Sequence, residues 1–143
     1  MIRVDLNPAQ RNAITIALRE TEIALRRLLT DLDADEHGRL YARVAVVGEA
    51  QRRQIEQLVN EALDEIIYLA DALDLSPQLQ NPLAEMAGQM TVLWSDLIDS
   101  RADKLARYGE VDPAASAGLN PPLDRLIALL EKLMGVASRR GSA

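Results

Sequence analysis

The chain is 143 residues long with a mass of 15.8 kDa, the span of one ordinary domain. Its 48% apolar and 27% charged residues exclude an intrinsically disordered chain. Sixteen basic against twenty-two acidic residues leave a net charge of −6, which argues against a generic nucleic-acid or anionic-membrane binder.

With no Phe, one Trp and three Tyr, the core must be aliphatic. The absence of cysteine excludes disulfides, thiolate metal sites and thiol chemistry, and it fits a reducing, cytoplasmic location. A single histidine, His37, excludes a ferritin-like centre, which needs two Glu-x-x-His repeats. Residues 2–6 alternate apolar and charged side chains, so no targeting segment is expected there. No run approaches the ~18 apolar residues that a membrane span requires.

Periodicity near 3.6 predicts four helices, three of which open on Asn-Pro: Asn7-Pro8, Asn81-Pro82 and Asn120-Pro121. The first is expected over 8–32, with Ile14, Ala17, Leu18, Leu25, Leu28, Leu29 and Leu32 as its apolar stripe. The second is expected over 36–74, opened by the capping-box spacing of Asp33 and Glu36 and possessing a weak point, a candidate kink, at Gly48. Its stripe runs from Leu40, Val44 and Val47 through Ile55, Leu58, Ala62, Ile66 and Leu69 to Leu73. The third is expected over 82–108 and the fourth over 121–138, with residues 109–120 as a mobile linker. Residues 1–7 read as an extended arm and 139–143 as a frayed tail. The expected fold is therefore all-α: a single antiparallel four-helix bundle spanning 1–143, with one long second helix.

Few constellations carry chemistry. Asp96, Asp99 and Asp103 fall on one face of the third helix, with Glu85 a few turns earlier; such carboxylates suit a hydrated Mg²⁺ or a basic partner, or simply a solvated face. His37 lies beside Asp35 and Glu36 at the expected helix start, a candidate metal ligand with them or simply an exposed turn histidine. Gln51 and Gln54, with the soft patch Met86, Met90 and Trp94, would line an internal pocket in a ligand-sensing bundle. At helical spacing a Met/Trp stripe also serves as ordinary core.

The pattern Asp33-x-x-Glu36 followed by Glu61-x-x-Asp64 resembles the paired acidic motif of all-α nucleotide pyrophosphohydrolases of the MazG type, with Asp33 standing where that family has Glu. The resemblance implies Mg²⁺ held between two helices; a hydrolase on this chain would use Glu61 and Asp64, and the separate acidic face of Asp96, Asp99 and Asp103 offers further candidate carboxylates. On the predicted boundaries the two pairs lie roughly 38 Å apart along one helix, so they meet only across a dimer.

Apolar residues off the main stripes point elsewhere. Ile16 and Ile23 lie nearly opposite the stripe of the first helix, and Leu63 and Ile67 lie off that of the second. A second stripe on a bundle helix is a candidate partner surface. Charge is also uneven: residues 1–54 carry +1 and residues 55–143 carry −7. The expected function is a non-enzymatic interaction module that self-associates through Ile16, Ile23, Leu63 and Ile67, as a dimer first of all. Neither nucleic acid nor membrane is expected as a partner, and no cofactor. The ligand-sensing bundle and the Mg²⁺-dependent hydrolase are the alternatives.

Overall fold

The structure is a computed structural model that describes residues 5–138. The chain is mostly helical, and it divides into two compact units, residues 1–77 and 78–143.

In the first unit, α1 (Pro8–Asp31) begins where Asn-Pro places it. The Asn7 side chain accepts from the Gln10 backbone at 2.8 Å, and the Gln10 side chain returns an acceptor to the Asn7 N–H at 3.1 Å. Two first-turn donors that no helical carbonyl reaches are thereby satisfied. After α1 come two short antiparallel strands, β1 (Asp35–His37) and β2 (Ala42–Val44), then α2 (Glu49–Leu73).

The expected helix over 36–74 is therefore corrected. Its first third is a hairpin, with Asp35 opposite Val44, Glu36 opposite Arg43 and His37 opposite Ala42. Gly38 donates to the Tyr41 carbonyl at 2.9 Å to close the turn, and Ala45 donates to Ala34 to extend the ladder. The β-branched Val44, Val46 and Val47 suit extended backbone better than helix. Leu40, Val44 and Val47 thus leave the predicted helical stripe, and Gly48 is the N-cap of α2 rather than a kink. At the other end Asp74 adopts a left-handed conformation (φ 53°), and Leu75 donates back to Ala70, ending the helix.

Arg11 near the start of α1 donates to the Asp74 carbonyl at the end of α2, while Arg52 at the start of α2 donates to Leu32 at the end of α1. The two helices are antiparallel. Their core is Val59, Leu63 and Ile66, packed by Leu18, Leu25, Leu29 and Ile55.

In the second unit, α3 (Pro82–Ile98) is capped by Asn81, whose side chain accepts from Leu83 at 3.0 Å. The predicted helix over 82–108 stops ten residues early by the tertiary structure's choice: Arg101 turns extended, a short α4 (Ala102–Leu105) restarts, and a 3₁₀ turn (Ala106–Tyr108) follows. Gly109, at φ 146°, ends this stretch in backbone that L side chains rarely adopt.

The expected linker 109–120 is corrected as well. Asp112 caps α5 (Pro113–Ala137) by accepting from Ala114 at 3.0 Å, so most of that stretch is helix. Pro121 and Pro122 consequently lie inside α5. Asn120 does not cap a helix beginning at Pro121; its carbonyl oxygen accepts from the Ala102 N–H at 3.0 Å, closing an orphan donor of α4. The predicted arm falls mostly at residues 1–4, which lie outside the described residues, as does the predicted frayed tail 139–143.

Candidate interaction surfaces

The second unit is a helix pair joined by a ladder of side-chain bonds. Thr91 donates to Met134 at 3.4 Å, Trp94 Nε1 to Glu131 at 3.0 Å, and Arg101 pairs with Asp124. Each step forward on α3 is matched by an equal step back on α5, so the helices are antiparallel and in fixed register.

The inward row of α5 is Ser116, Asn120, Leu123, Ile127, Leu130, Met134 and Ala137, all half-buried. Its spacing of three and four residues is that of a coiled-coil seam. A second row, Leu126, Leu129, Leu133 and Val136, repeats the same spacing one residue earlier and is exposed, Leu129 at 60% and Val136 at 59%. One residue is about 100° of helix, so this row lies a quarter-turn from the seam.

On α3 the exposed Met86 and Leu93 likewise precede the half-buried Ala87 and Trp94 by one residue. Because the helices run oppositely, the same turn in the chain sense brings both rows to one side of the pair. Glu131 and Asp124 follow their inward neighbours by one residue and lie on the other side, with the Trp94 and Arg101 bonds. The pair therefore has a polar, bonded side and an apolar side that no described residue of the unit covers: Leu83, Met86 and Leu93 of α3 beside Leu126, Leu129, Leu133 and Val136 of α5. A contiguous apolar face is a binding surface more often than scattered aliphatics are.

The corresponding side of the α1–α2 pair is poorer. The residues one before its inward rows are mainly Ala13, Ala17, Ala24 and Ala62, with Leu28 and Leu58 as the larger exposed groups. The hairpin of this unit is held from its base. Arg43 bonds Asp31 at 3.1 Å and Glu36 at 3.2 Å. The Asp31 hydrogen bond, then the charges of Asp31 and Glu36, hold its guanidinium pKa above the ordinary value. The turn presents Leu40 and Tyr41 to solvent, and Val46 is exposed beyond β2.

The sequence-derived candidates distribute unevenly. Ile16 and Ile67 are exposed and Ile23 is half-buried, whereas Leu63 is 8% exposed and belongs to the α1–α2 core. Leu63 is thus corrected from a surface position to an inward one: it stands four residues after Val59 and three before Ile66, on their side of α2.

Gln51 and Gln54 are exposed on the first turns of α2, in the first unit, while Met86, Met90 and Trp94 are on α3, in the second. No single unit assembles the five. Glu61 and Asp64 border a shallow surface dip on α2 with Leu58, Ala62 and Glu65. Asp33 and Glu36 are committed to Arg52 and Arg43. Asp96 and Asp99 are exposed on or at the end of α3, and Asp103 faces Arg101 at 3.8 Å from α4. His37 pairs with Asp35 at 2.7 Å on the open hairpin. Among the described residues no three acidic or histidine side chains are grouped to hold a metal ion.

The outer row of α5 was legible in sequence only as part of one wide face. The separating signal is the pair of interleaved three-four rows, 123-127-130-134 and 126-129-133-136, which marks two seams instead of one. Comparison with protein families, curated proteins and solved structures finds no match to this chain.

Proposed function

We infer that this protein is a non-enzymatic helical interaction module that works by self-association, a dimer being the simplest closed form. One observation carries the reading: the continuous apolar side of the α3–α5 pair, with leucines spaced for a further helical seam. Ile16 and Ile67, exposed on the other pair, are the second candidate patch. An antiparallel four-helix arrangement follows when a helix pair gains the layer it lacks from another copy. The acidic net charge, −6, speaks for a protein partner over nucleic acid, and the absence of cysteine for work in the cytoplasm.

Native mass spectrometry and sedimentation at low and moderate salt test the reading. The parent chain should be dimeric at micromolar concentration. Leu129→Asp with Leu133→Asp should be monomeric with unchanged helicity by circular dichroism. A parent chain that is monomeric at every concentration up to ~100 µM overturns the proposal.

A further inference from the structure

Resting on the self-association reading, we propose that the α3–α5 pair docks face to face on the same pair of a second copy, about a two-fold axis parallel to the helices. Each α3 then lies on the partner's α5, and the four helices form a bundle in which every neighbour is antiparallel.

The argument is one of charge at the two borders of the apolar side. Turning outward from Met86 and Leu93, the free edge of α3 carries Asp96, with Asp99 just past its end and Glu85 near its start. Turning outward from Leu129 and Leu133, the free edge of α5 carries Arg125 and Lys132. Asp96, Asp99, Arg125 and Lys132 are all exposed. None of the four makes an ion pair among the described residues, where Arg101 takes Asp103 and Asp124 instead. One edge is acidic, the other basic, with the aliphatic face between them.

Two closed face-to-face dimers are available to such a pair. A two-fold axis across the helices puts α3 on α3 and sets acidic edge against acidic edge. An axis along the helices puts α3 on the partner's α5 and sets each acidic edge against a basic one. Like-charge juxtaposition costs affinity and opposite charges fix register, so the second is selected. Both arrangements set every helix against antiparallel neighbours, so the helix dipoles do not distinguish them and the edge charges do.

The heights agree. The bonds from Trp94 to Glu131 and from Arg101 to Asp124 set the register of the pair, and an axis along the helices preserves height between copies. Asp96 then stands level with Leu129, between the partner's Arg125 and the partner's Lys132, each about one turn away. Asp99 stands level with Leu126, beside the partner's Arg125. Long basic side chains span such offsets while their stems cover the aliphatic seam. Met90 and Leu93 fall within about one turn of the height of the partner's Leu133 and the partner's Leu129.

The test is a charge-reversal cycle on the full chain, with dimer dissociation measured by sedimentation and helicity checked by circular dichroism. Asp96→Lys with Asp99→Lys should weaken the dimer about tenfold or more, since two edges each lose two pairs. Arg125→Glu with Lys132→Glu should do the same. The fourfold variant carrying all of these should return to near the parent affinity, because only the sign of each edge has been exchanged. Single-sign variants that dimerise as tightly as the parent overturn the edge pairing and leave self-association standing. A monomeric parent overturns both.

Discussion

The Arg52 guanidinium reaches back from the first turn of α2 and donates to the Leu32 carbonyl at 2.7 Å, on the residue that closes α1. A second nitrogen of the same group pairs with Asp33 at 2.9 Å. Leu32 is itself 6% exposed, so one side chain both satisfies a terminal helix carbonyl and pins the chain where it leaves α1 for the hairpin. A cation at a helix C-terminus also meets the negative end of the helix dipole.

Arg52→Ala should destabilise the first unit by about 1–2 kcal/mol, the range for a hydrogen bond to a charged group that keeps some solvent access. Arg52→Lys should recover only part of this, since an ammonium does not reproduce the two-nitrogen grip. Amide exchange across residues 34–45 is the measurement, and faster exchange there in the alanine variant is the expected result. Unchanged exchange would mean that the hairpin is held by Arg43 and its own ladder alone.

Leu63 and Ile67 are four residues apart in α2 and should respond oppositely to the same change. Leu63→Asp buries a carboxylate among Val59, Ile66 and the α1 leucines, and it should cost the first unit much of its helicity at 25 °C. The milder Leu63→Ala should cost about 2–4 kcal/mol. Ile67→Asp, at a residue 52% exposed, should leave helicity within error. Circular dichroism of the three variants settles the comparison; equal losses for both aspartates would place Ile67 in the core.

Pro121 and Pro122 lack the N–H groups that Ala117 and Gly118 carbonyls would accept inside α5. Replacing both by alanine should stabilise the second unit by more than about 1 kcal/mol. Trp94, the sole tryptophan, reports on that unit through its bond to Glu131, so its fluorescence in a urea titration reads the shift. A lowered midpoint would show that the helix begins at Pro121 and that the prolines serve as its first turn. Asn120→Ala supplies the complement: loss of the bond to Ala102 should speed exchange over residues 102–108 and cost about 1 kcal/mol.

Helical content, the first helix and its cap, and the start of α3 were legible in sequence because they depend on neighbours within a turn. Asn7 finds Gln10 three residues on, and Asn81 finds Leu83 two residues on. Apolar spacing likewise names Ile66 and Leu25 as inward, but it puts Leu58 on the stripe where the structure buries Val59 and leaves Leu58 exposed. The same local reasoning misplaced residues 35–47, where weak helical spacing competed with a strand pairing five to nine residues apart in sequence. Periodicity registers one chain's face and is silent about a partner strand.

Asn120 marks the boundary between the two kinds of information. Its sequence, Asn-Pro, is that of an N-cap in all three places where it occurs, and local chemistry alone cannot distinguish them. At Asn7 and Asn81 the side chain turns to its own helix; at Asn120 it is taken by Ala102, eighteen residues earlier. The sequence by itself determined that this chain is helical, aliphatic in its core and without thiol or multi-histidine chemistry. Tertiary structure alone decided which of two equally spaced leucine rows on α5 faces α3 and which stays outside. A helix presents every row to its surroundings with equal local energy, and only packing against another element breaks that equivalence.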